Sequence, residues 1–346
     1  MKPLRTLVVG VRGIGRAHAK AIASLPAYEL VSICDLNEPL AREVSAELEC
    51  AFDGDLSKAL AKRCPDVVVV ATPSASHAQI VFQAVAAGVR GIYCEKPMAV
   101  HLGDARRMVD ICEREDVALA VNHQRRMLPV FRTMKRLIDE GAIGEVEWIR
   151  ACCAGDVLSD GTHTVDSLRF LAGSEAEWVN ASIYRSRKDP QEPKGMGFDA
   201  SGGWRFGHPV EDGAHAAIQF ANGIRAEMLT GTLFPKNRFY QDFEVFGSKG
   251  RLWRKSDGQS PQLQINDGVR GWVEVPLADA DHNQKFRLFA STIHEGTSHP
   301  LDGREGLKDM ELVTAIYESA RLRDRVSLPA TQERFPLELM IEEGQI

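Results

Sequence analysis

The chain has 346 residues, a net charge of −6, 44% apolar residues and 26% charged residues. That length suits two domains with separate cores, and the composition is that of an ordinary globular protein. The acidic balance excludes nucleic acid as a partner, and no apolar run approaches the roughly 18–20 residues of a membrane span.

The N-terminus runs straight into a strand and lacks the apolar stretch of a signal peptide, so a cytoplasmic chain is expected. Leu7-Val-Val9 reads as a short strand, followed by a helix from Gly15 to Leu25 that stops before Pro26. Leu30 to Cys34 is a second strand. Asn37 and Pro39 look like the cap and first turn of a helix running through Leu48. Asp66-Val-Val-Val-Val-Ala71 is β-branched on both faces, as a central parallel strand buried on both sides requires. A helix from Ser76 to Ala87, a strand at Gly91–Cys94, a helix from about Leu102 to Glu115 and a strand at Val117–Val121 complete the series. Strands alternating with helices of this length imply right-handed crossovers and a doubly wound parallel sheet.

After a helix from Pro129 to Glu140 the pattern changes. His215–Phe220 and Ile224–Leu229 flank Asn222-Gly223, a two-residue hairpin turn. Phe239–Phe246 and Arg251–Arg254 flank Gly247–Gly250, and a helix from about Gly303 to Arg323 closes the pattern. The fold class is therefore α/β: a Rossmann domain over residues 1–122 and a second α/β domain over 123–346, built on a mostly antiparallel open sheet. An uncovered sheet face suits a subunit interface. The stretch 186–209, rich in Gly, Pro, Arg and Lys, is either a lid or a solvated excursion. The seven cysteines are odd in number and form no CxxC pair, so reduced thiols and no metal site are expected.

Gly10-Val-Arg-Gly-Ile-Gly15 follows a strand, opens a helix, and is followed 20 residues later by Asp35. That context describes a dinucleotide site: Gly10 for the tight turn, Gly15 for close packing, and a helix N-terminus for pyrophosphate. Arg12 stands where the second fingerprint glycine is usual, and Gly13 comes next. Asp35 suits the ribose hydroxyls and repels a 2′-phosphate, which favours NAD over NADP. Thr72, Pro73, Ser74 and His77 leave the carboxyl end of a parallel strand, where such sheets bind ligands; Ser74 and Ser76 also suit helix capping. Glu95-Lys96-Pro97 leaves the next strand. Lys96 is either a surface lysine or the group that takes a proton from a substrate hydroxyl while hydride leaves the same carbon. His163, with Asp160 and Asp166 three residues to either side, suits a proton relay or a polyol clamp; helix capping by Asp160 is the alternative. Arg125 and Arg126 either hold substrate oxygens or pair with surface carboxylates. Arg185, Arg187, Lys188 and Lys194 hint at an anionic sugar, or line a solvated loop.

Taken together, Val9–Gly15 with His18, Thr72-Pro-Ser with His77, Cys94-Glu-Lys-Pro97, Gln124-Arg-Arg, Asp160-Gly-Thr-His163 with Asp166, Phe246–Gly250 and Ala315–Ala320 resemble the glucose–fructose oxidoreductase / inositol dehydrogenase / rhizopine-catabolism (Gfo/Idh/MocA) family. The resemblance implies NAD(P)-dependent oxidation or reduction of sugars, inositols and related polyols. It implies a Rossmann domain followed by a larger-sheet domain, and homodimers or homotetramers packed through that open sheet. It makes Lys96 and His163 the catalytic pair, with Asp160 beside Ser159, where many members carry the aspartate. Cofactor contacts would extend over Gly10, Arg12, Gly13, Ile14, Asp35, Thr72, Pro73, Ser74, His77, Glu95, Lys96 and Gln124. Lys96, Arg125, Asp160, His163 and Asp166 would meet substrate. Two rivals stand beside a dehydrogenase. One is an NAD-dependent glycosidase or lyase that oxidises its sugar transiently; the other is a non-catalytic dinucleotide-binding regulator.

Overall fold

The computed structural model describes residues 2–186, 203–231, 241–255 and 262–346. The chain forms two compact units: residues up to Asn122 together with His282–Leu307, and His123–Asp281 together with Lys308–Ile346.

The first unit holds a parallel sheet of six strands, β1 (Leu4–Val9), β2 (Tyr28–Cys34), β3 (Ala51–Asp53), β4 (Val67–Val70), β5 (Gly91–Cys94) and β6 (Ala118–Val121), in the order β3-β2-β1-β4-β5-β6. This is the doubly wound arrangement, with its topological switch between β1 and β4. The four valines of β4 are fully buried, as a strand paired on both sides and covered on both faces must be. Five helices connect the strands. The second, Glu38–Glu47, starts where Asn37 accepts a hydrogen bond from the Leu40 N–H (3.2 Å). The expected helix from Ser76 begins instead as a 3₁₀ turn over Ser74–Ser76 and becomes α-helical at His77. β3 and the helix Leu56–Arg63 were not singled out from sequence.

The segment 282–307 packs with the first unit, although it follows residue 122, where the second domain is expected to begin. Its helix Gln284–Glu295 brings Phe286 and Phe289 into the first unit's core. Both rings pack on Tyr93 (centroids 4.8 and 5.4 Å apart), and the Tyr28 hydroxyl donates to the Phe286 carbonyl (2.6 Å). Burying large aromatic surface is the physical reason for the assignment. Further along, the Val121 N–H donates to the Leu301 carbonyl (2.8 Å), so the β6 edge is not left as an open row of backbone groups.

Among its described residues, the second unit carries a sheet of nine strands. These are β7 (Val146–Ala154), β8 (Ala176–Tyr184), β11 (Gly213–Phe220), β12 (Arg225–Gly231), β13 (Asp242–Gly247), β14 (Gly250–Lys255), β15 (Gln262–Asn266), β16 (Trp272–Glu274) and β17 (Val326–Ser327). Their order is β16-β15-β14-β13-β7-β12-β11-β8-β17, antiparallel except where β7 meets β12. The expected two-residue Asn222-Gly223 turn is instead a three-residue loop, Ala221–Gly223, between β11 and β12: Phe220 pairs with Ile224, the Gly223 N–H donates to the Phe220 carbonyl (3.0 Å), and Gly223 takes the left-handed position with φ +91°. Ala214, Ala216, Ile218 and Phe220 point inward from β11, while His215 and Gln219 alternate onto the other face. On the inner face, the Phe131 ring of helix Pro129–Asp139 meets Phe243 edge-on at 5.2 Å. Much of the 186–209 stretch lies outside the described residues; Trp204–Arg205 (β9) and His208–Pro209 (β10) form a short hairpin. Phe239 and Tyr240 also lie outside them. All seven cysteines are free thiols, and no helix among the described residues is long and apolar enough to cross a membrane.

Candidate active site

In the first unit, the expected cofactor residues gather at the carboxyl ends of β1, β2, β4 and β5. Gly10 has φ +84°, and a Cβ there would lie 2.7 Å from the Ala71 carbonyl oxygen. At Gly15 a Cβ would lie 1.9 Å from the Gly10 carbonyl oxygen, so only glycine lets the helix Ile14–Ser24 start this close to its strand. Arg12, Gly13 and Ile14 are exposed at the helix N-terminus, whose first N–H groups have no intrahelical acceptor. This cradle fits a pyrophosphate. Asp35 ends β2. One of its oxygens accepts the Val11 N–H and the other the Asn37 N–H (both 2.8 Å), which ties the glycine-rich turn to the second strand. Leu36 beside it is 95% exposed.

Thr72 and Pro73 are half-buried and Ser74 is buried at the end of β4. His77 is buried, and its two ring nitrogens lie 2.7 Å from the Thr72 carbonyl oxygen and 2.9 Å from that of Pro97. It thus braces the turn after β4 against the turn after β5. Burial lowers its pKa.

Lys96 is half-buried and follows β5 directly, and its peptide bond to Pro97 is cis. Glu95 turns the other way, into the protein. Its carboxylate accepts from His18 Nε2 (2.6 Å), from Asn122 Nδ2 (2.5 Å) and from the Lys96 N–H (3.2 Å). Burial alone would push this carboxyl up. The His18 hydrogen bond and charge, the Lys96 charge and Asn122 outweigh it and hold the group at about 2. Burial also lowers His18 and brings the nearby Lys285 down to about 8. Glu95 was expected among the cofactor contacts; its three hydrogen bonds make it the anchor of the loop that carries Lys96.

The second unit builds its polar centre on the helix Thr162–Ala172, which is buried almost all the way round. Such a helix needs internal partners for its polar residues. Asp166 pairs with Arg126, whose guanidinium also stacks on Phe170. Arg169 holds Asp309 (2.5 Å) and Glu175 (2.8 Å). His123 lies with Nε2 2.9 Å from the Thr162 hydroxyl and Nδ1 3.1 Å from Asp309, and its ring meets that of His163 edge-on at 5.8 Å. Burial first, and then the Asp309 charge, raise the Asp166 pKa well above the carboxylate range despite Arg126. His123, Asp166 and Asp309 bring donor atoms within 4.8 Å of one another, close enough to hold a cation, although Arg126 and Arg169 already occupy one oxygen of each carboxylate.

Asp160 sits in a single π-helical turn, Val157–Gly161, in which the Gly161 N–H reaches the Asp156 carbonyl (2.9 Å). Arg205 from β9 holds Asp160 (2.6 Å) and Asp156 (3.2 Å) together. Ser159 is buried, with its hydroxyl 3.1 Å from His208 Nε2. Gln124 and Arg125 lie half-buried in a 3₁₀ turn after β6. Arg185 donates to the Val210 carbonyl (3.1 Å); Arg187, Lys188 and Lys194 lie outside the described residues. His123, Asp309, Arg205, Glu211 and Tyr317 were not anticipated as part of this centre. A buried-looking helix bearing Asp166 and Arg169 was the one signal that such partners had to exist.

Comparison with known proteins shows the family and the fold. Residues 4–123 match the model of the oxidoreductase family with an NAD-binding Rossmann fold, and residues 131–253 match the GFO/IDH/MocA C-terminal domain. A D-apiose dehydrogenase from Paraburkholderia graminis is 27% identical over all of this chain and 95% of its own length. An inositol 2-dehydrogenase from Rhizobium meliloti is 26% identical over 93% of this chain and 98% of its own. In fold, the chain is similar to the WlbA dehydrogenase from Bordetella pertussis in complex with NADH and UDP-GlcNAcA (TM-score 0.78, 24% identity, 95% of this chain and 100% of that one). It is also similar to an aldose-aldose oxidoreductase from Caulobacter crescentus (TM-score 0.81, 20% identity, 94% and 100%).

Proposed function

The chain belongs to the GFO/IDH/MocA family of sugar and polyol oxidoreductases, and on that premise we propose that it moves a hydride between NAD and a hydroxyl-bearing carbon of a sugar, inositol or related polyol, with Lys96 and His163 handling the proton. The observation that carries this reading is the placement of Lys96. It leaves β5 at the same end of the parallel sheet as the glycine-rich turn, on a loop anchored by a buried carboxylate. In open parallel sheets that end binds the ligand.

NAD, when bound, supplies the acceptor for the hydride. The protein residues do the rest. Gly10, Arg12, Gly13 and Ile14 cradle the pyrophosphate, and Thr72, Pro73 and Ser74 line the site further along. Asp35 accepts from the adenosine ribose and disfavours a 2′-phosphate; with Leu36 and Asn37 following, no adjacent cation receives one. As hydride leaves the substrate carbon, its hydroxyl proton passes to Lys96, and His163 assists that transfer. In the reverse direction Lys96 returns the proton to the forming alkoxide. Asp160, Asp166 and Arg125 hold other hydroxyls. We also propose that the molecule acts as a homodimer or homotetramer joined through the open face of the nine-stranded sheet.

The test is Lys96→Ala in the full chain. NADH binding, followed by fluorescence, should stay at the parent level. Turnover, followed at the reduced-nicotinamide absorbance band against aldoses, uronates, inositols and sugar alcohols, should fall about 10²-fold or more. Parental turnover in that variant would refute the assignment.

A further inference from the structure

The turn that carries Asp160 and leads into His163 is fastened by two buried side chains that come from far along the chain. A helical turn begins with N–H groups that have no partner within it. Here Asp156 takes only one of them, the Ser159 N–H (2.6 Å). The Val157 N–H donates to Glu211 Oε1 (2.6 Å), and the Leu158 N–H donates to the Tyr317 hydroxyl (3.1 Å). The Tyr317 hydroxyl in turn donates to Glu211 Oε2 (2.8 Å), which closes a clamp. Glu211 lies between β10 and β11, and Tyr317 lies on the helix Gly303–Leu322. Both are buried, Glu211 at 3% exposure and Tyr317 at 0%.

We propose that Glu211 and Tyr317 are positioning residues for substrate: they fix the π-helical turn Val157–Gly161, and through it the direction of Asp160 and His163, without touching substrate themselves. This rests on the reading that Asp160 and His163 meet substrate. Single π-helical turns are uncommon and recur at functional sites. A core that needed only filling would use apolar side chains here, because a buried carboxyl is costly to desolvate.

The charges around the clamp give it a pH signature. Glu211 meets the Val157 N–H from the turn and Tyr317 from the helix, and it lies near enough to Asp156 to feel its charge; Asp156 and Asp160 are in turn held by Arg205, and His208 lies on Ser159. Burial, and next the Asp156 charge, push its carboxyl up to about 8. Below that value it is neutral. Above it, Glu211 carries a negative charge close to Asp156. A carboxyl whose pKa is raised on folding holds its proton longer in the folded state. The resulting contribution to stability is full below the ordinary carboxyl pKa and is lost as pH rises through about 8.

The experiment compares Glu211→Gln and Tyr317→Phe with the parent, as full-length enzyme with NAD. Substrate is the fastest-oxidised member of a set comprising myo-inositol, D-glucose, D-xylose, D-glucuronate and sorbitol. Both variants should bind NADH within about twofold of the parent. Both should raise KM about tenfold, equivalent to the loss of roughly 1.4 kcal/mol of substrate binding. Glu211→Gln should also flatten the alkaline side of the kcat/KM profile, and its melting temperature should fall less than the parent's between pH 5 and 8.5. Folded variants with parental KM, parental pH profile and a parental melting slope would overturn the proposal. Turnover retained by Lys96→Ala and His163→Ala would instead sink the catalytic reading beneath it. The melting slope reports on the Glu211 clamp in either case.

Discussion

Asp35 accepts from the Val11 N–H with one carboxylate oxygen and from the Asn37 N–H with the other, so the residue proposed to read the cofactor also holds the turn proposed to cradle it. Replacing it by serine removes charged acceptors from two backbone donors, each bond being worth about 1.5–3 kcal/mol. NADH affinity of Asp35→Ser, titrated by fluorescence, should fall at least about tenfold, since 1.4 kcal/mol is a factor of ten. NADPH should gain no affinity above the parent's, because the loosened cradle serves both cofactors. A variant that binds NADPH more tightly than the parent would show that the two jobs are separable. At this scale the sequence was partly legible. Asp35 and Lys96 stood out as candidates because each lies just after a strand of the parallel sheet, and the structure places both at those strand ends. Arg205 on Asp160 and Asp309 on His123 did not, because they meet partners far away in the chain. Asp166 stood out by its spacing to His163, but its pairing with Arg126, from the 3₁₀ turn after β6, was not visible, because Arg126 read only as one of a basic pair.

Among the elements, the helix Ile14–Ser24 is set against its strand by the absence of one methyl group. Gly15→Ala would place a carbon 1.9 Å from the Gly10 carbonyl oxygen, and backbone cannot swing away as a side chain can. The helix must shift, at a cost of about 1–3 kcal/mol for overpacking. The expected outcome is a melting temperature lower by several degrees, together with weakened NADH binding, since the N–H groups proposed to face the pyrophosphate move with the helix. Unchanged melting would mean that the turn relaxes freely. The elements themselves were readable wherever local periodicity governs them: the all-valine β4 and the Asn37 cap lie where the residues place them, and the β11–β12 hairpin turns at Gly223, though through a three-residue loop. The π-helical turn at Val157–Gly161 was not readable, because it is stabilised by Glu211 and Tyr317 rather than by its own side chains.

For the whole molecule, the nine-stranded sheet presents an outer face with Tyr184, 65% exposed, on β8, His215 on the adjacent β11 and Arg150 further along on β7. Light scattering on the purified protein should give a mass of two or four chains; a single-chain mass at micromolar concentration would exclude the proposed assembly. The discontinuous first unit carries a different consequence. A ribosome makes the chain from one end, so the six parallel strands emerge while the rings of Phe286 and Phe289, which complete their core, are still unmade. At about 5–20 residues per second, the nascent sheet waits on the order of ten seconds for them. During that interval its aromatic floor is open to water. Chaperone dependence and premature-stop toxicity should therefore trace to the late arrival of that one helix rather than to the strands themselves.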